Sequence, residues 1–247
     1  MPDPASFQVL ETTVQEPDGS VRLLEEHLAR MRVSAAQLAA YYSAPVFGCK
    51  DLSLEALQAQ ISASTTPGLR YRLRLLLNSS GRLSVQATQA AAAPAGPPPM
   101  LVLDTQATCT DLVFVRCKTT HRQLYERAAD RISAEYPAGT QVLLYNEAGL
   151  ITEGNIANVA VALPDPPSGQ PALCTPPLAH GLLAGTMRQH LLDTGQIREA
   201  HITVAQFRAA VRNGWSVLCM NSVRGLYPVT PALPPADPAA ADPETAG

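Results

Sequence analysis

Of the 18 lysines and arginines in this 247-residue chain, only two are lysines, Lys50 and Lys118. Where positive charge alone is wanted, the chain uses Arg. A lysine amine can lose its proton and add to a carbonyl, which a guanidinium cannot do. Lys50, in FGCKDLSLE just before a helical pattern, suits a solvated surface charge. Lys118 follows the apolar run LVFVRC and precedes THRQLYERA. That is an expected strand-to-helix junction, where a rigid support can aim a side chain into a cleft. Desolvation there would make the amine a nucleophile or base. A lysine ending a strand in solvent suits the same context, and the local sequence leaves both readings open.

Other residues have the types a cofactor site needs. Glu153, in GLITEGNIANVAV, puts a carboxylate between a strand and a Gly-Asn break; TEGN by itself also reads as a solvated turn. LLAGTMR sets Gly185 before a helix start, where backbone N–H groups and the helix dipole favour a phosphate. Arg30 in HLARMR and Ser222 in NSVRG are further anion contacts by type. The nucleotide signatures GxxxxGK[ST] and GxGxxG are absent, as is the G-x-S-x-G elbow of a hydrolase.

These residues need elements to hold them. Residues 7–15 alternate as a strand, 17–19 (PDG) turn, and 20–24 return as a short strand. Residues 25–42 carry Leu28, Met31, Ala35 and Leu38 at helical spacing, and 52–63 form a second helix. Residues 70–77 and 83–90 are paired strands. The Ala/Pro/Gly run 91–99 is the expected boundary between an N-terminal domain, 1–99, and a C-terminal domain, 100–229. In the second half MLVLD and LVFVR read as strands and 120–135 as a helix. VLLYNEAGLITEGNIANVAVAL reads as three strands. A helix begins near LAGT, HITVAQFRAAV is strand then helix, and WSVLCMNSVRGLYPV is a pair of strands. Residues 230–247, rich in Ala, Pro and Asp, are an expected disordered tail. The pattern is that of an α+β or mixed α/β protein in two lobes with its site in the cleft between them.

Composition excludes several other functions. The net charge is −3 and no basic run stands out, which argues against a nucleic-acid footprint. No apolar run approaches a bilayer span, and MPDPASFQVLE lacks the features of a signal peptide, so the cytoplasm is expected. The five cysteines form no CxxC pair and the five histidines no HxxxH pair, so neither disulfides nor a metal is expected.

Six segments occur in an order that resembles the class IV aminotransferase family, the fold-type IV pyridoxal-phosphate (PLP) enzymes. They are LETTVQEPDGSVRLLEEHLARMRVSA, RLRLLL, CKTTHRQLYERA, VLLYNEAGLITEGNIANVAV, CTPPLAHGLLAGTMR and NSVRGLYPV, together spanning residues 7 to 229. The resemblance implies a smaller N-terminal α/β domain, a larger C-terminal pseudobarrel domain and a homodimer. It makes Lys118 the Schiff-base lysine and Glu153 the partner of the pyridinium nitrogen. Arg30, Thr186, Met187 and Ser222 become phosphate contacts, with Thr186 and Met187 acting largely through backbone N–H groups, and Asn158 joins the cofactor set. Tyr125 lies seven residues after Lys118, further than the active-site tyrosine of the aminotransferases.

Within the family, the KTT-x-R-x-x-Y-E-x-A, TPPL-x-x-GLLAG-x-MR and NSVRG runs are most similar to aminodeoxychorismate lyases. That would make 4-amino-4-deoxychorismate the substrate and aminodeoxychorismate synthase the pathway neighbour. Arg74, Arg224 and Thr12 are then candidates for the substrate, the arginines because they pair well with carboxylates. A solvated strand face suits Arg72 and Arg74 equally. Cys117 stands where the nearest relatives commonly have histidine, which touches packing or substrate contact. Met187 replaces a threonine of branched-chain aminotransferases and argues against that alternative, an aminotransferase for branched-chain or D-amino acids.

Overall fold

The computed structural model describes residues 1–48, 52–91, 96–110, 112–164 and 170–234. Lys50, part of the Ala/Pro run and most of the expected tail lie outside the described residues. The chain is α+β and divides into two compact units. The first holds residues 1–95, 111–122 and 222–225, and the second residues 96–110, 123–221 and 226–247.

In the first unit, strands β1 (Val9–Gln15), β2 (Tyr71–Leu77) and β3 (Leu83–Gln89) form an antiparallel sheet in that order. Side chains alternate across a strand, so the register sorts the residues onto two faces. Val9, Leu73, Leu75 and Leu77 share a core with helices α1 (Leu24–Tyr42) and α2 (Leu54–Ser64). Helix α1 buries Leu24, Leu28, Met31, Ala35 and Leu38, one stripe at three- and four-residue spacing. Helix α2 starts where the Ser53 hydroxyl accepts the Ala56 N–H.

The expected strand at 20–24 is reduced to a single bridge, Gln15 to Val21. Leu23 takes a left-handed conformation (φ 51°) and swings the chain into α1 instead. The expected strand LVFVR is also corrected: Val113–Arg116 is one helical turn, α3. Short apolar runs do not separate buried strand from buried helix. Here Val113 and Phe114 pack on the first core, and Phe114 meets Phe7 edge-on at 5.3 Å.

The units first part at Ala95 and Gly96, inside the 91–99 run, and two later segments return to the first unit. Residues 118–120 run antiparallel along the free edge of β1: Leu10 N–H donates to Lys118 O (2.9 Å) and Thr120 N–H to Gln8 O (2.8 Å). Residues 222–225 return as well, where Arg22 donates to the Ser222 carbonyl at 3.2 Å.

The second unit holds two sheets. β4 (Met100–Leu103), β5 (Gln141–Tyr145), β6 (Ile151–Gly154), β7 (Asn158–Pro164), β8 (Pro171–Thr175) and β9 (Arg198–Glu199) are followed by β10 (Val217–Asn221), β11 (Gly225–Pro228) and β12 (Thr230–Ala232). Their orders are β11-β10-β7-β8-β9 and β12-β4-β5-β6. The pseudobarrel thus takes the form of two sheets, neither closed among the described residues. Helix α4 (Gln123–Ser133) sets Ala128 and Ile132 against Val102, Val142 and Leu144. It starts three residues later than its pattern, because residues 118–120 are held as strand beside β1 and Thr119 Oγ1 accepts the His121 N–H. Helix α5 (Thr186–Asp193) follows Gly185, and α6 (Val204–Arg212) opens on a capping box between Thr203 and Gln206. The expected strand at HIT is a bridge at Thr203 only, and the strand falls earlier, at β9. Thr230–Ala232, expected as part of a disordered tail, instead pairs in parallel with β4.

Candidate active site

Lys118 is fixed by its backbone. Its carbonyl takes the Leu10 N–H, and the next residue, Thr119, bridges Val9. In that register Lys118 lies opposite Leu10 and Cys117 opposite Glu11, so the two side chains leave on opposite faces. Cys117 goes to the helix side. It is 2% exposed, and its thiol donates to the Gln37 side-chain carbonyl at 3.2 Å. Burial raises the thiol to about 11, against a smaller lowering by a hydrogen bond to Ser34. Cys117 is thus an inert anchor in the core. Lys118, half-buried, takes the face away from α1 and α2.

That face carries two of the substrate candidates. Thr12 stands directly opposite Arg74, and Arg74 opposite Gln86. Thr12 and Arg74 are half-buried and Arg72 is exposed. The register therefore places Lys118, Thr12 and Arg74 on one face of the extended sheet. Arg224 is exposed in the turn after β10, apart from that row.

Arg30 sits on the helix side, gripped by Glu11. Its Nε donates to Glu11 Oε1 at 2.8 Å and an Nη group to Oε2. His27 Nδ1 meets the same Oε2 at 2.6 Å. Glu11 is fully buried. Burial alone would raise its pKa, but the charge and hydrogen bonds of Arg30, joined by His27, bring the carboxyl down to about 2. A bidentate carboxylate fixes the guanidinium plane. Ser222 is buried, and its turn is tied by Arg22, which Glu16 in turn holds together with Arg70.

In the second unit Glu153 lies on β6, 4% exposed. Each of its oxygens takes a donor. Tyr125 Oη donates to Oε1 at 2.7 Å, and Asn158 Nδ2 donates to Oε2 at 3.2 Å. The Asn158 amide also reaches the Leu183 carbonyl at 3.1 Å. Asn158, expected among the cofactor contacts, thus holds the Glu153 carboxyl and the segment before α5. Gly185 caps α5 with no side chain, and a methyl group there would stand 1.9 Å from Asn158 Oδ1. Only glycine fits. Thr186 and Met187, both buried, form the first turn of α5, so their backbone N–H groups belong to the anion-favouring end of the helix.

Sequence reasoning missed Glu11, Arg22 and the role of Tyr125. Glu11 gave no signal, since a charged residue in a strand reads as outward. The seven-residue spacing from Lys118 to Tyr125 was the only trace of the third. Among the described residues no group of three or more His, Cys, Asp or Glu could hold a metal, and no helix is long and apolar enough to cross a membrane.

The family profile described as Amino-transferase class IV matches residues 8–231. A Schizosaccharomyces pombe protein named "Putative aminodeoxychorismate lyase" is 35% identical over 218 residues, 87% of this chain and 86% of that one. The aminodeoxychorismate lyase of Saccharomyces cerevisiae is 37% identical over 123 residues, 45% of this chain and 32% of its own. A crystal structure named as a "Putative amino-acid aminotransferase" from Mesorhizobium loti superposes with a TM-score of 0.72 at 32% identity. It covers 92% of this chain and 100% of that one.

Proposed function

We propose, from the premise that the chain belongs to the class IV aminotransferase family, that this enzyme is a PLP-dependent 4-amino-4-deoxychorismate lyase. It would release 4-aminobenzoate and pyruvate. The observation that carries the reading is Lys118, one of only two lysines, clamped by backbone bonds on the face that also bears Thr12 and Arg74. The fungal relatives named as aminodeoxychorismate lyases support this choice of substrate.

The residues present fit the cofactor. Glu153 offers a buried carboxyl, oriented by two donors, as partner for a protonated ring nitrogen. Gly185 opens α5 against Asn158 where any side chain would collide. When bound, the cofactor supplies an electron sink for the pair left at the reacting carbon.

The rest is work for this chain's residues. Lys118 would hold the cofactor through Nζ, and the substrate's C4 amine would be the group bound beside it. As a neutral amine Lys118 then takes the C4 proton. The neighbouring enolpyruvyl group departs, the substrate ring becomes aromatic, and the proton goes to the leaving group, which ends as pyruvate. Arg30, Ser222 and the backbone N–H groups of Thr186 and Met187 would hold the phosphate. Arg74, with Thr12 beside it, and Arg224 are the residues assigned to the substrate carboxylates. A cytoplasmic homodimer, fed by aminodeoxychorismate synthase, completes the proposal.

An aminotransferase would share Lys118 and Glu153, and the Mesorhizobium loti relative named as an amino-acid aminotransferase favours it as the second reading. One experiment separates them. Purified protein, wild type beside Lys118→Ala, is given PLP and divided: one portion is reduced with borohydride, and the other, unreduced, receives enzymatically generated aminodeoxychorismate. Covalent fixation of the cofactor in wild type alone, with 4-aminobenzoate and pyruvate appearing, is the expected result. Fixation without those products, together with consumption of an added 2-oxo acid, selects the aminotransferase. Absence of fixation in wild type sinks both.

A further inference from the structure

We infer that Tyr125 is a positioning residue acting through Glu153: its phenol sets how firmly that carboxyl keeps its negative charge beside the cofactor's ring nitrogen. This rests on the PLP reading above. Tyr125 and Asn158 donate to Glu153 in different ways. Asn158 is shared, its amide divided between Glu153 Oε2 and the Leu183 carbonyl. The Tyr125 contact, 2.7 Å, is a well-formed O–H···O bond with the phenol donating to Oε1. Tyr125 comes from the first turn of α4, with its ring against the core that α4 shares with β4 and β5. The hydroxyl is thus brought to β6 by a packed helix, within one unit. Glu153 is buried, so solvent replaces a lost donor poorly.

A hydrogen bond to the charged form of a carboxyl lowers its pKa, and removing the bond raises it. With the phenol gone, Glu153 competes more strongly for the proton that the ring nitrogen should carry, and the electron sink weakens. The exchange Tyr125→Phe keeps the ring packing and removes only the hydroxyl.

The test is a double-mutant cycle of Tyr125→Phe and Glu153→Gln, read by the pH dependence of the bound cofactor's visible absorption as well as by kinetics. In Y125F the cofactor should still be fixed to Lys118 by borohydride. The acid-side absorption change should move up by about one pH unit. The turnover kcat should fall about tenfold with little change in KM. In the E153Q background, Y125F should move neither quantity. An unmoved pH transition, or an equal effect in E153Q, overturns the inference and leaves the proposed function standing. Should Y125F not fold, site-specific 3-fluorotyrosine, a stronger donor, must move the transition down; no movement is again a refutation. A wild type that takes up no PLP overturns the proposed function and this inference with it.

Discussion

Glu11 shows what a single buried carboxylate does for the first unit. Its folded pKa, about 2, lies below the ordinary 4.5, because the attraction of Arg30 and His27 outweighs its burial. A group with a depressed folded pKa contributes stability above its unfolded value, and that stability is lost as pH falls through the folded one. At about 1.4 kcal/mol per pH unit, Glu11 is worth about 3 kcal/mol at neutral pH, disappearing between about pH 5 and pH 2. Glu11→Gln should therefore cost about 3 kcal/mol in urea unfolding at pH 7 and much less near pH 2.5. An equal cost at both pH values would show that Glu11 acts by packing rather than by charge. Glu11 is invisible to pattern reading because a charged residue in a strand reads as outward-facing.

At the scale of elements, the start of α5 depends on a close approach. Gly185 has ordinary negative φ, so its need for glycine comes from space: a methyl group would reach within 1.9 Å of Asn158 Oδ1. Gly185→Ala must move either the first turn of α5 or the Asn158 side chain that holds Glu153. Overpacking of this kind costs about 1–3 kcal/mol. The proposed phosphate site should weaken, with PLP affinity by equilibrium dialysis falling at least about tenfold. Unchanged affinity would mean that α5 does not carry the phosphate. The α3 turn shows where periodicity gave the wrong element. Val113–Arg116 has the composition of a strand, yet the aromatic cluster of Phe7 and Phe114 takes it as a helical turn. Lys118 keeps the aim expected of a strand end because the strand character lies two residues later, against β1.

For the whole molecule, the residues assigned to the proposed site come from both units of the chain. Lys118, Arg30, Ser222 and Arg74 belong to the first, and Glu153, Tyr125, Asn158 and Thr186 to the second. The proposed homodimer is checked by light scattering at micromolar concentration, where a mass near 26.2 kDa rather than twice that would count against it. The choice between lyase and aminotransferase also belongs to this scale, since the roles proposed for Lys118 and Glu153 would serve either reaction and substrate contacts must decide.

The amino-acid sequence by itself determined the family, the α+β class and most helices and strands, and it singled out Lys118 and Glu153 as candidates. Each of these rests on local information: residue type, spacing along one element, or motifs in order. Tertiary structure alone decided the rest. The edge of β1 held residues 118–120 extended, so that the helix expected from residue 120 starts at Gln123, and set Cys117 and Lys118 on opposite faces. Burial made Glu11 the holder of Arg30. Folding also brought Tyr125 and Asn158, 33 positions apart in the chain, to the two oxygens of Glu153. Such contacts join residues distant in the chain, and their free energy depends on burial and geometry that no local pattern encodes.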